Sequence, residues 1–148
     1  MFATASAHHE TKSSLYADLL LQARGLFEGE RDAGANSANL SALIFHGLPE
    51  LNWSGFYWMK TDGLVLGAFQ GMPACVRIGL GKGVCGSAAR DRKTIVVPDV
   101  DAFPGHIACD SASRSEIVIP LIRGGIVLGV LDVDSPKLAR FDLSLIHI

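Results

Sequence analysis

The chain has 148 residues, 49% of them hydrophobic and 19% charged, with a formal net charge of −2. That length and composition suit one domain able to bury its own core and exclude a disordered chain. The near-balanced charge, with no long run of one sign, argues against nucleic acid or an anionic membrane as the main partner, and no apolar run is long enough to span a bilayer.

The opening MFATASAHHE has neither a positive first region nor a continuous apolar run. No secretory signal is expected, which points to a cytoplasmic, thiol-reducing setting. A first helix follows, with Ser13 or Ser14 as its cap, Leu15, Leu19, Ala23 and Leu26 at helical spacing, and Gly29 near its end. A second helix is predicted over Ala35–Gly47, with Leu40, Leu43 and Ile44 on one stripe and Pro49 beyond it. From Asn52 the period changes. NWSGFYWMK reads as an aromatic strand, Asp62-Gly63 as a hairpin turn, and LVLGAFQG as the return strand. The stretch from Ala74 to Val100 combines a short strand, a glycine-rich loop, a short helix and the strand TIVVPD. DAFPGHIACDSAS is irregular, and SEIVIPLI and GIVLGVLDVDS form a last hairpin around Arg123-Gly124-Gly125. Helices followed by an antiparallel sheet imply an α+β fold in one domain over residues 1–142. A closing helix is expected after Phe141-Asp142, but the chain reads LSLIHI, which one frame of a common sequencing-library transposon end encodes. Leu143 to Ile148 are therefore expected to be a non-native tail that adds no specific packing, the alternative being a natural short tail.

Alternation along a strand places Trp53, Gly55 and Tyr57 on one face and Asp132 and Asp134 on another, with Glu116 starting the strand that pairs with the latter. If these faces converge, they make a pocket with aromatic walls and three carboxylates. Otherwise Trp53 and Tyr57 are ordinary core, Asp132 and Asp134 face solvent or cap the turn at Ser135-Pro136, and Glu116 is a strand-edge charge. Clustered carboxylates repel unless a cation or shared protons compensate. Such a pocket suits a ligand carrying an ammonium group, and lets one acid stay protonated and donate. The three cysteines, Cys75, Cys85 and Cys109, are odd in number and contain no Cys-x-x-Cys pair, so no structural disulfide framework is expected. His106 precedes Cys109 by three positions but lacks further ligands for a zinc centre, and no metal is expected. Cys85, inside GKGVCGSAA, reads as a small buried hydrophobe. Cys109, in an irregular loop beside Asp110, suits a reactive thiol, and Cys75, after Met72-Pro73, offers it a redox partner. IGLGKGVCG has no following Lys-Ser or Lys-Thr and reads as a tight loop before a helix, not a phosphate loop.

Together, NWSGFYW, Cys75, GKGVCGSAA, VVPDVDAFPGHIACDSASRSEIVIP and LGVLDVDSP resemble the free methionine-(R)-sulfoxide reductases, catalytic members of the GAF-domain class, from about Tyr16 to Asp142. The resemblance implies a GAF-like domain with a six-stranded antiparallel sheet and helices packed on one side, usually as a homodimer. It implies reduction of free L-methionine-(R)-sulfoxide to methionine without metal or organic cofactor. Cys109 matches the nucleophile and Cys75 its disulfide partner. Cys85 matches a third cysteine that either resolves or competes for the nucleophile's role. Glu116, Asp132 and Asp134 match the substrate-pocket acids, and Trp53 and Tyr57 its aromatic walls. The implied route is thiolate attack at sulfur, proton donation by a pocket acid, a sulfenic acid, a disulfide, and recycling by thioredoxin. Backbone N–H groups over Ile107–Cys109 are expected to hold the substrate carboxylate. The alternative is a non-catalytic GAF domain that senses a small molecule. The NKxFDE-type pattern of cyclic-nucleotide binders is absent, and an acid-rich pocket is a poor host for phosphate.

Overall fold

Two faces of one sheet organise the molecule. The computed structural model describes residues 11–147, so the reading of the first ten residues as lacking a leader lies outside the described residues. The elements run α1 (Lys12–Phe27), α2 (Ala33–Gly47), β1 (Trp53–Lys60), β2 (Gly63–Gly71), β3 (Arg77–Ile78), α3 (Gly83–Asp91), β4 (Ile95–Val97), β5 (Ser115–Arg123) and β6 (Ile126–Ser135). Short 3₁₀ turns cover Val100–Ala102 and Leu143–His147. The strands form a six-stranded sheet of order β3-β2-β1-β6-β5-β4, antiparallel at every pairing. This is the α+β, six-stranded antiparallel domain expected from the sequence. Among the described residues no helix is long and apolar enough to cross a membrane.

Local chemistry sets the helix starts. Thr11, not Ser13 or Ser14, caps α1: its hydroxyl accepts from Ser14 N, and the Ser14 side chain answers at the Thr11 N–H, a reciprocal capping box. Asp32 caps α2 by accepting from Ala35 N at 2.8 Å.

On one face, Tyr16, Leu19 and Ala23 of α1 and Leu43 and Ile44 of α2 pack on Phe56, Ile117, Leu131 and Val133 of the sheet. On the other, Val84, Cys85, Ala88 and Ala89 of α3 cover Tyr57, Val97, Val118 and Val130. The expectation of helices on one side thus holds for α1 and α2 and is corrected for α3. The strands are apolar on both faces, and the second face needs its own cover. Small residues let α3 lie close: a Cβ on Gly86 would strike the carbonyl oxygen of Gly79.

The carboxyl end also departs from expectation. Leu145, 1% exposed, belongs to the α1–α2 core, so this segment does contribute packing. Its apolar side chain finds a seat because Arg140 anchors the preceding chain. Arg140 Nε and Nη2 donate to Pro49 O at 3.3 and 3.2 Å, and Nη1 to the Tyr16 hydroxyl at 3.4 Å.

Candidate active site

Strand register brings the acids together. Across β1 and β6, Trp53 faces Asp134 and Gly55 faces Asp132. Across β5 and β6, Glu116 faces Asp134 and Val118 faces Asp132. Trp53, Asp134 and Glu116 therefore form one row on the α3 face, and Gly55, Asp132 and Val118 the next. Gly55 is the hole in this pattern. A Cβ there would meet the Trp53 ring at 2.7 Å, so the missing side chain lets the indole fold over its own strand. Trp53 stacks between Phe69, 5.3 Å away, and Tyr57, 6.0 Å away. Trp53 Nε1 donates to Met72 O at 3.1 Å and the Tyr57 hydroxyl to Cys75 O at 3.0 Å. The aromatic wall is thereby tied to the turn carrying Cys75.

All the sequence-predicted residues except Cys75 line one pocket, and Cys75 is disulfide-bonded to Cys109, with 5.6 Å between their Cα atoms. Cys85, 4% exposed, is free. Its thiol donates to Asp132 Oδ2 at 3.3 Å, while Asp132 Oδ1 is buried with no hydrogen-bond partner. His106 Nε2 lies 3.4 Å from Glu116 Oε2.

Burial dominates the electrostatics. It pushes Asp132, Glu116 and Asp134 well above the usual carboxylate range, and the charge of the neighbouring acids pushes each further. Burial and the adjacent Asp132 push the Cys85 thiol up in the same way, and burial with Asp132 raises the Tyr57 phenol. His106 moves down because burial disfavours its cation. Ionising the pocket floor is thus disfavoured unless a cation faces it.

Several site residues were not singled out in the sequence. The Asn52 side-chain amide donates to Asp110 Oδ2 and Ser113 Oγ, both at 2.9 Å, and its backbone N–H to Asp134 O at 3.1 Å. Asn52 so pins the Cys109 loop to the end of β6. The spacing of Asp110 and Ser113, one helical turn apart in an irregular stretch, was the available signal. Lys82 lies at the pocket next to the start of α3, whose N-terminus has no side-chain cap. Of the N–H groups expected to cradle a carboxylate, that of Cys109 already donates to Ile107 O at 3.1 Å.

Residues 35–148 match the GAF domain family. The chain is 49% identical, over 130 residues, to the free methionine-R-sulfoxide reductase of Escherichia coli (strain K12), which spans 88% of this chain and 79% of that protein. The chain belongs to the free methionine-(R)-sulfoxide reductase family of GAF-domain proteins. It is also 57% identical to Protein YtsP of Bacillus subtilis (strain 168), over 88% of this chain and 82% of that protein. Among solved structures, the free methionine-R-sulfoxide reductase of Neisseria meningitidis in complex with its substrate superposes with a TM-score of 0.92 at 46% identity, covering 97% of this chain and 86% of that one. A reductase of this family is an oxidoreductase, and a dithiol–disulfide pair beside an acidic pocket is the equipment such chemistry needs.

Proposed function

We propose that this chain reduces free L-methionine-(R)-sulfoxide to methionine, with Cys109 as nucleophile and Cys75 as its resolving partner. The observation that carries the reading is the Cys75–Cys109 disulfide at a pocket floored by Glu116, Asp132 and Asp134. In the reduced protein the Cys109 thiolate attacks the sulfoxide sulfur. The sulfoxide oxygen takes a proton from one of the raised pocket acids, giving a tetracoordinate sulfur adduct. The hydroxyl then passes to the Cys109 sulfur as the S–S and S–O bonds to the substrate sulfur break, and methionine leaves with Cys109 as a sulfenic acid. The Cys75 thiolate attacks that sulfur, expelling water and forming the disulfide. A thioredoxin-type dithiol in the cytoplasm returns both cysteines to thiols, and the working form is a homodimer. Cys85, bonded to Asp132 and with its thiolate disfavoured, is assigned to the pocket wall.

Charge supports the free amino acid as substrate. The three acids suit its ammonium group. Lys82 and the uncapped N-terminus of α3 suit its carboxylate. Trp53 and Tyr57 suit its thioether-like chain. The test is NADPH oxidation coupled through thioredoxin and its reductase. Consumption is expected with the R epimer of the free sulfoxide and not with the S epimer. Turnover of neither epimer would leave the sensor reading, in which case direct binding without reduction would be seen.

A further inference from the structure

We propose that Cys85, Asp132 and Glu116 also form a binding site for a divalent cation of the Zn(II) or Co(II) class. One ligand atom from each of these three side chains lies within 4.8 Å of the other two. Cys85 Sγ and Asp132 Oδ2 are already 3.3 Å apart. A tetrahedral zinc ion with bonds of about 2.3 Å to sulfur and 2.0–2.2 Å to carboxylate oxygen sets such atoms about 3.5 Å apart, so the cluster needs only a small contraction around an ion. Each residue comes from a separate element, α3, β6 and β5, and the packed faces of those elements hold the three groups in place.

A cluster of acids beside a cysteine would not suffice by itself. The second observation is Asp132 Oδ1: the residue is 7% exposed, and this oxygen has no hydrogen-bond partner. A buried carboxylate oxygen without a donor is costly, and native proteins supply a proton, a water or a cation. A thiolate among the ligands favours Zn(II), Co(II) or Cd(II) over Mg(II) or Ca(II), which prefer oxygen donors alone. The charge balances well, since one thiolate and two carboxylates leave a net charge of −1 around a divalent ion. On binding, the Cys85 S–H proton and the protons held by the Asp132 and Glu116 carboxyls depart to solvent, and sulfur–metal and oxygen–metal bonds replace them, with no change of oxidation state. Lys82 and Ile107, both exposed, line the same pocket and leave it open to solvent.

This site separates itself from ordinary metal capture by redox thiols. The Cys75–Cys109 disulfide leaves Cys85 as the free thiol, so the site persists in the oxidised protein, where the redox pair offers no thiolate. The inference goes beyond the proposed reductase function and does not rest on it.

The test is titration of the full-length, disulfide-form protein with Co(II) under inert gas, read as sulfur-to-cobalt charge-transfer absorption in the near ultraviolet. Saturation at about one equivalent per chain is expected, with full reversal by Zn(II). Cys75→Ser/Cys109→Ser should retain the band. Cys85→Ser should lose it, and Asp132→Asn should weaken binding about tenfold or more. Because Asp132→Asn is isosteric, it carries the test if the serine variant fails to fold by circular dichroism. A band that survives Cys85→Ser, that needs reduction of the disulfide, or that is absent at saturating Co(II) would overturn the site.

Discussion

Asp132 is the residue on which the pocket's electrostatics turn. It accepts from Cys85 on one oxygen, leaves the other unpaired, and feels Glu116 beside it. Folding raises the proton affinity of Asp132, Glu116 and Asp134 above their ordinary values of 3.8, 4.5 and 3.8. The native state therefore binds more protons than the unfolded chain. The associated stability is complete below those ordinary values and is lost as pH rises through the raised ones. The melting temperature is expected to fall as pH rises above the ordinary carboxylate range, and Asp132→Asn to flatten that fall and raise the alkaline end. A scanning-calorimetry series that gives wild type and variant the same slope would remove the acids from the stability account. The same acids set specificity. N-acetylation of the substrate removes its cation, and stranding a buried charge costs about 2–5 kcal/mol, so at least about thirtyfold loss of kcat/KM is expected for the acetylated sulfoxide. Asp132→Asn or Asp134→Asn should damage turnover of the free sulfoxide far more than that of the acetylated one. At the cysteines, Cys109→Ser should abolish even a single turnover, because a serine hydroxyl at this position has no activating base and is a poor nucleophile toward sulfur. Cys75→Ser should still release about one methionine per chain and then stall. A burst surviving in Cys109→Ser and lost in Cys85→Ser would exchange their roles.

At the scale of elements, the segments held in place by short side chains are the sensitive ones. Gly86 lets α3 press on the loop before it, so Gly86→Ala should cost about 1–3 kcal/mol in urea unfolding and speed alkylation of Cys85 as the helix lifts. The carboxyl end makes an opposite point. Leu145 fills core space against α1, so Leu145→Ala should cost about 2–5 kcal/mol. Deleting residues 143–148 should lower the melting temperature by several degrees, about 2–4 °C per kcal/mol for a chain of this size. An unchanged melting temperature would restore the reading of this segment as an idle tail. The strands and hairpins were legible beforehand because period-two alternation and Asp62-Gly63 or Gly124-Gly125 turns are local signals. The side chosen by α3 was not. A helix of nine residues made largely of glycine, alanine and serine has too short a stripe to declare a face, and only the uncovered apolar side of the sheet decides it. Leu145 was equally illegible, since a single apolar residue does not reveal the cavity it will fill.

Across the whole molecule, the site lies where three strand registers, one short helix and two loops meet, and its legibility followed from that construction. Trp53, Tyr57, Asp132 and Asp134 could be placed on faces from the sequence, because alternation within one strand is local. That Glu116 stands directly opposite Asp134 required the β5–β6 register. That Asn52 reaches over to Asp110 and Ser113 required the closed loop, as did the approach of His106 to Glu116. Asn52, Asp110 and Ser113 went unnamed as site residues because only the folded loop brings them together, whereas Trp53, Tyr57, Asp132 and Asp134 follow from local alternation. Assembly belongs to this scale too: light scattering is expected to give twice the chain mass, and a monomer that retains full turnover would make dimerisation irrelevant to the chemistry. The central claim is reduction of the free sulfoxide by the Cys75–Cys109 couple, and one measurement meets it directly. The fully reduced protein is mixed with racemic methionine sulfoxide in the absence of any reductant. The methionine released, the epimer consumed and the disulfide-linked peptides are then read by mass spectrometry. The expected result is about one methionine per chain, loss of the R epimer alone, a Cys75–Cys109 linked peptide, and Cys85 still alkylatable after unfolding. Release of no methionine, consumption of both epimers, or a disulfide that contains Cys85 would contradict it.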